Sequence, residues 1–303
     1  MEVSRAAATG GARRVLARLR ALRKQKARRE ESGSCLLMGN EQLLKEVCLG
    51  GARGTEGNPL QAPLALLGHH SRQGGLEELG RTTGARKLYM LNEKELQNVS
   101  GLVTVDVNDM VMAELPIPPE SKTILGAGDR GSALNASLGT STVVLDGVQD
   151  PGNVGSIIRC ALAFGWRHIV FGSGSADPFS PKVLRSSRGG LLMRENSSQG
   201  PRQCLSYEYA GGTALGELVA AAGEGGTEVL LAHTAGVGVD EYVASQERAA
   251  SSGTVLVLSS EAGGISEAMR TSGATALHIP IAPVSESLNV AAAAAILLHG
   301  LRR

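Results

Sequence analysis

The sequence predicts an α/β protein in which a mostly parallel sheet with helices on both faces follows a small α/β domain. Three observations carry this. From Thr142 onward, apolar runs of strand length alternate with stretches of helical spacing, the pattern of parallel strands joined by crossover helices. Residues 118–140 combine Pro, Gly, Ser and Asn with little periodicity, as a linker does, and separate this half from an earlier one. A chain of 303 residues with 42% hydrophobic content can bury two cores.

Residues 1–12 read as a basic N-terminal tail and 13–117 as the small domain. Val15, Leu19 and Leu22 fall at i, i+4 and i+7, giving one apolar stripe with a basic opposite face and predicting a helix over 13–29. The first 30 residues hold ten of the 30 Lys and Arg against Glu2 and Glu30. An Arg-rich, acid-poor start is also the composition of an organelle transit peptide, and the apolar stripe favours the folded helix. Ser34–Met38 reads as a short strand, Glu41–Leu49 as a helix, Pro63–Leu67 and Lys87–Leu91 as further short apolar runs, and Glu93–Val99 as a helix. Met110–Ile117 closes the region as a strand ended by Pro118 and Pro119.

The second domain, 141–303, reads as strand 142–146, helix 155–164, strand 168–172, helix 180–187, helix 214–222 and strand 227–232. Strand 254–258, helix 265–270, strand 275–281 and helix 287–301 follow. Residues 189–212 and 235–253, rich in Gly, Ser, Gln or Glu, interrupt the alternation and read as surface insertions.

Composition excludes several classes. Cys35, Cys48, Cys160 and Cys204 lack C-x-x-C or Cys/His spacing, which speaks against both a zinc site and a disulfide framework, so no metal is expected. Neither a membrane-spanning apolar run nor a secretory signal is found. A soluble intracellular protein is expected, and the Gly-, Ala- and Arg-rich composition is compatible with a plastid or mitochondrion as well as with the cytoplasm. The run Phe171–Asp177 lacks a third spaced Gly and meets Pro178, so it is no dinucleotide fingerprint.

Three segments share one layout of apolar strand, small and polar turn, then helix: 141–165, 253–269 and 279–299. Ligands of open α/β sheets bind at the carboxyl ends of strands, so these turns converge on a single site. In the third segment Ser287 and Asn289 enter a helix apolar all round, which must be buried. A helix start offers free N–H groups that can hold a polar ligand group, or Asn289 simply caps a core helix.

At these segments the chain resembles the SpoU family of the SPOUT RNA methyltransferases. Asp146-Gly-Val-Gln-Asp-Pro-Gly-Asn153-Val-Gly-Ser-Ile-Ile-Arg159 is similar to the first family motif, Ser259-Ser260-Glu261-Ala-Gly-Gly264-Ile-Ser266 to the second, and Ile279-Pro280 through Ser287-Leu-Asn289 to the third. The resemblance weakens toward the N-terminus, where Arg23–Arg28 and Leu36–Glu46 are similar to the start of a small substrate-binding domain. It implies an RNA 2′-O-ribose methyltransferase using S-adenosylmethionine, with rRNA or tRNA as substrate. It also implies a trefoil knot in the C-terminal domain, which no pattern argument would suggest, and a homodimer.

By the same resemblance Arg159 is the catalytic residue, steadying a developing alkoxide or a phosphate through its permanent charge. Asn153 braces the first loop or bonds substrate, and Glu261 pairs Arg159 or ties down its own loop. Leu258, Ser259, Gly263, Gly264, Ile279, Ile281, Ser287, Leu288 and Asn289 form the cofactor site. Read alone, Arg159 is equally a surface Arg lying over Ile158 and Leu162, and Asn153 an ordinary turn residue. Arg23, Lys24, Lys26 and Arg28 suit RNA phosphates, together with Arg13, Arg14, Arg18, Arg20 and Arg29, while Lys182, Arg185 and Arg188 line the approach. With 3% aromatic residues, recognition leans on backbone and RNA shape. One departure stands out: the family carries Gly-Asn before the second-motif Glu, where this chain has Ser259-Ser260. A non-catalytic RNA-binding or ribosome-assembly protein of the same fold is therefore the alternative.

Overall fold

The structure, a computed structural model, describes residues 2–5, 10–50, 59–121, 141–198, 200–210, 215–217, 219, 227–245, 253–259 and 273–302. Its first part carries β1 (Glu2–Arg5), α1 (Gly10–Lys24), α2 (Lys26–Ser32), β2 (Ser34–Gly39), α3 (Glu41–Leu49), β3 (Ala65–His69), α4 (Gln73–Thr83), β4 (Lys87–Leu91), α5 (Glu93–Ser100) and β5 (Val111–Pro116). β6 (Thr142–Asp146), α6 (Pro151–Ala163), β7 (His168–Gly172), α7 (Pro181–Ser186), β8 (Arg194–Ser197), β9 (Gly200–Gln203) and β10 (Ser206–Ala210) follow. The chain ends with β11 (Glu228–Gly238), α8 (Val239–Ala244), β12 (Thr254–Ser259), β13 (Thr275–His278) and α9 (Val290–Gly300). It divides into two compact units, Met1–Pro118 with Asp177–Cys204, and Pro119–Ala176 with Leu205–Arg303. Residues 177–204 thus leave the second half of the sequence to pack with the first unit, a division the linker signal at 118–140 does not reveal.

The first unit holds a five-stranded sheet in the order β1-β4-β3-β5-β2, with β5 antiparallel to both β3 and β2. Residues 2–5, expected in a tail, pair with β4 as an edge strand. The helix expected over 13–29 breaks at Gln25, whose backbone is extended at φ −123°, into α1 and α2. Its stripe does face inward: Leu19 and Leu22 pack with Leu36, Leu67, Leu91 and Met112. α4 escapes the sequence pattern because it opens on Gln73-Gly74-Gly75, poor helix formers, and is held by the buried Leu76 and Leu79. α5 starts on a capping box, with Asn92 and Glu95 each bonding the other's backbone N–H.

The segment from Asp177 is pinned into this unit by charge. Arg29, 4% exposed, directs Nε and Nη2 at Asp177 Oδ2 and Nη1 at Leu22 O. Asp177 Oδ1 in turn accepts from Phe179 N at 2.9 Å. α7 then packs on β2, and Arg188 binds Glu46 at 2.8 Å.

The second unit is a six-stranded sheet in the order β10-β7-β6-β12-β11-β13, with every neighbouring pair parallel. Val144, Val170, Val229, Leu231, Val255 and Val257 line one face with Leu215 and Val219. On the other side α9 runs along α6, and Trp166 Nε1 donates to Leu298 O at 3.1 Å. α6 begins at Pro151, earlier than the expected 155, because Asp150 caps it by accepting from Asn153 N at 2.9 Å and Pro suits a first turn.

The two stretches read as insertions contain regular structure. Residues 194–203 form the β8–β9 hairpin, and β10 joins the sheet beside β7. Its Ser and Glu obscured the strand, but Glu208 is buried 3.6 Å from His168 and Ser206 Oγ lies 2.6 Å from His168 Nδ1. β11 continues to Gly238, slipping register against β13 between Ala232 and Val237, and α8 follows. The strand expected over 275–281 ends at His278, and the helix expected over 287–301 starts at Val290 behind its cap Asn289. The expected helix 265–270, most of the linker 118–140 and most of the helix 214–222 lie outside the described residues. Among the described residues no helix is long and apolar enough to cross a membrane.

Candidate functional site

The carboxyl ends of β11, β12 and β13 open into a cavity of about 620 Å³, which the 279–288 loop and α9 complete. Of the residues expected to hold a cofactor, Leu258, Ser259, Ile279, Ile281, Ser287 and Leu288 line it. Leu277, Val290, Ala293 and Leu297 add apolar wall. Gly263, Gly264 and Glu261 lie outside the described residues. Mostly apolar walls with few polar groups suit a flat organic ligand such as a nucleoside.

Asn289 does a different job from the one expected. Its Oδ1 accepts from Ala291 N at 2.9 Å, capping α9, and its Nδ2 donates to Asn153 Oδ1 at 3.1 Å. The cap fixes which way the Asn289 amide faces, and so which atom Asn153 presents. The starts of α6 and α9 are thereby tied together, joining the first and third segments. Arg159 projects exposed from α6, two turns beyond the cap.

The sequence missed one wall of the cavity, formed by Ala232, His233 and Thr234. The signal was present, since these residues follow a strand directly and stand at a carboxyl end like the other three turns. The wall is held by backbone contacts: His233 Nδ1 accepts from Ala235 N at 3.0 Å, and His278 Nδ1–H donates to Gly236 O at 3.0 Å. Gly236 has φ +135°, and a Cβ there would sit 2.2 Å from Ala276 O, so only glycine fits. Glu286 and His278 also line the cavity and were not anticipated.

The expected RNA-contacting side chains all belong to the first unit. Lys24, Lys26, Arg28, Lys182 and Arg185 are exposed, with Lys26 3.6 Å from Glu30 and Arg28 2.6 Å from Glu31. Arg188 is paired with Glu46, and Arg23 is half-buried against Gly101. Two residues of the basic stripe serve the fold instead. Arg29 is spent on Asp177, and Arg18 binds the buried Glu114 through both terminal nitrogens, a bond that raises the Arg18 pKa above its usual value. Glu114 also accepts from Ser34 Oγ at 2.9 Å. Among the described residues no cluster of three or more His, Cys, Asp or Glu is arranged to hold a metal.

Residues 140–299 match the SpoU rRNA Methylase family. The chain is 34% identical over 160 residues to the 23S rRNA (guanosine(2553)-2′-O)-methyltransferase RlmP of Bacillus subtilis, which covers 53% of this chain and 57% of that protein. The 23S rRNA (uridine(2479)-2′-O)-methyltransferase of Streptomyces viridochromogenes is 32% identical over 165 residues, covering 53% of this chain and 52% of its own. The chain thus spans about half the length of these relatives. Among solved structures, a putative RNA methyltransferase of the TrmH family from Porphyromonas gingivalis aligns over 97% of this chain and 98% of its own, at 26% identity and a TM-score of 0.68. The motif segments, the parallel sheet and the match over more than half of the residues agree: the chain belongs to the SpoU rRNA methylase family.

Proposed function

We propose that this chain transfers a methyl group from S-adenosylmethionine to a ribose 2′-hydroxyl of ribosomal or transfer RNA. One observation carries the reading: the cavity at the sheet's carboxyl edge is walled by the residues that the second and third family motifs contribute. When bound there, S-adenosylmethionine supplies a methyl group activated by its sulfonium. Leu258, Ile279, Ile281 and Leu288 offer its nucleoside an apolar slot, Ser259 and Ser287 offer hydroxyls, and Gly263 and Gly264 permit close backbone approach.

Arg159 is the catalytic residue of this reading. A guanidinium keeps its proton, so it acts by stabilising the alkoxide that develops at the 2′-oxygen or by gripping the adjacent phosphate. Asn153, tied to Asn289, holds the first motif against the third, and Glu261 orients Arg159 or its own loop. Lys24, Lys26, Arg28, Lys182 and Arg185 meet RNA phosphates, with Arg23 and Arg188 as partly engaged neighbours.

The protein acts as a homodimer, with a trefoil knot in the second unit. For the dimer, Val237, Val243, Ile281, Val284 and Ile296 are exposed large hydrophobics of this unit, and Ile296 lies on the all-apolar α9. Ribose-methylation mapping of rRNA and tRNA from cells lacking the protein tests the activity: a site that loses its methyl group supports it, and an unchanged map sinks it. Arg159→Ala is expected to abolish transfer while cofactor affinity stays within about twofold, and full activity in that variant removes the role given to Arg159. Absence of S-adenosylmethionine binding at millimolar concentration favours the non-catalytic alternative.

A further inference from the structure

At the end of β12 the chain carries a hydroxyl with no protein partner. Ser259 Oγ is buried, lines the cavity, and is bonded by no described residue. Directly across the ladder, Asp146 at the end of β6 pairs in register with Ser259, and its Oδ2 is likewise buried and unbonded among the described residues. Strand alternation puts both side chains on the same face, two residues beyond Val144 and Val257. Two neighbouring oxygens thus sit at the sheet edge, one of them a carboxylate oxygen that can only accept when ionised. Folded proteins pair nearly all such groups, because leaving one dry and unmade costs more than the bond itself is worth.

We propose that Ser259, with Asp146 beside it, forms a ligand-reading edge that takes up an amino group of the bound cofactor. This rests on the S-adenosylmethionine reading above. That molecule carries two such groups, the purine 6-amine and the α-ammonium of its amino-acid end, and either supplies the N–H donors that the edge lacks. Ser259 is therefore a specificity-determining residue. Its side chain adds a contact that a glycine at the same position cannot make.

The test is isothermal calorimetry with S-adenosylmethionine and with 5′-methylthioadenosine, which keeps the purine amine and lacks the α-ammonium, on the full chain and on Ser259→Ala and Ser259→Thr. Thermal melts of the ligand-free proteins accompany it. Ser259→Ala is expected to weaken S-adenosylmethionine binding about tenfold, the worth of one hydrogen bond of roughly average strength. It is also expected to raise the ligand-free melting temperature, because it removes an unsatisfied buried hydroxyl, while Ser259→Thr keeps affinity within about threefold. A loss that extends to 5′-methylthioadenosine assigns the contact to the purine amine, and a loss confined to S-adenosylmethionine assigns it to the α-ammonium. If the unaltered chain binds and Ser259→Ala binds as tightly or more tightly, the reading edge is overturned and the cofactor reading stands. If the unaltered chain binds neither compound, the cofactor reading falls and the edge falls with it.

Discussion

The bond between Asn153 and Asn289 joins the two helix starts beside the cavity, and its worth can be isolated. Asn289 makes two bonds, accepting from Ala291 N at 2.9 Å and donating to Asn153 Oδ1 at 3.1 Å. Loss of an N-cap side chain costs about 1 kcal/mol. A side-chain hydrogen bond of this kind contributes about 1 kcal/mol net. Asn289→Ala removes both and is expected to cost about 2 kcal/mol. For a unit of this size that lowers the melting temperature by about 4–8 °C. Asn289→Ser keeps a capping oxygen but cannot span to Asn153, so about half the loss should return. Asn153→Ala removes only the bridge, since the backbone N–H of residue 153 still bonds Asp150. Urea unfolding of the two single variants Asn153→Ala and Asn289→Ala and of the double variant closes a cycle, with an expected coupling of about 1 kcal/mol. A coupling below about 0.3 kcal/mol, or Asn289→Ser falling as far as Asn289→Ala, would refute the assignment of separate cap and bridge contributions.

Asp177→Ala leaves the Arg29 guanidinium buried without its counter-charge, so a loss of about 3–5 kcal/mol is expected by denaturant titration; a loss under about 1 kcal/mol would show that residues 177–204 are held by other contacts. Gly236→Ala forces a Cβ against Ala276 O in a left-handed conformation. It should displace the 233–237 wall and weaken S-adenosylmethionine binding in calorimetry, and unchanged affinity would remove that wall from the site. Burial pushes the Cys48 thiol up to about 12 and raises Cys35 further still, with desolvation the main cause at both. Native alkylation at pH 8 should therefore spare Cys35 and Cys48, and their rapid labelling in the folded protein would contradict their burial.

Much of the second unit was legible in the sequence because its signals are local. Continuous apolar runs at 142–146, 168–172 and 254–258 can only be strands buried on both faces, and the turn after each bears the small and polar residues a ligand needs. Ser287, Leu288 and Ile279 were recognisable because their segment copies the layout of the other two. What failed did so where local pattern and tertiary environment disagree. β10 reads Ser-Tyr-Glu-Tyr-Ala, and only the pairing of Glu208 with His168 makes its polar residues tolerable inside a sheet. α4 opens on two glycines and is helical because Leu76 and Leu79 find a core.

By itself the sequence determined the alternation of strand and helix, the carboxyl-edge position of the site and the residue types that line it, since these follow from hydrophobic period and turn chemistry. The tertiary structure alone decided how polar side chains are spent. A basic stripe along residues 13–29 looks uniform in sequence. In the fold, Arg18 and Arg29 are bound to Glu114 and Asp177, 96 and 148 residues away, while Lys24, Lys26 and Arg28 remain at the surface. Asn289 likewise looks like a ligand contact and is a cap and a tether. Partners so distant along the chain leave no periodic trace, because a hydrogen bond depends on where the fold brings two groups and not on the spacing around either one.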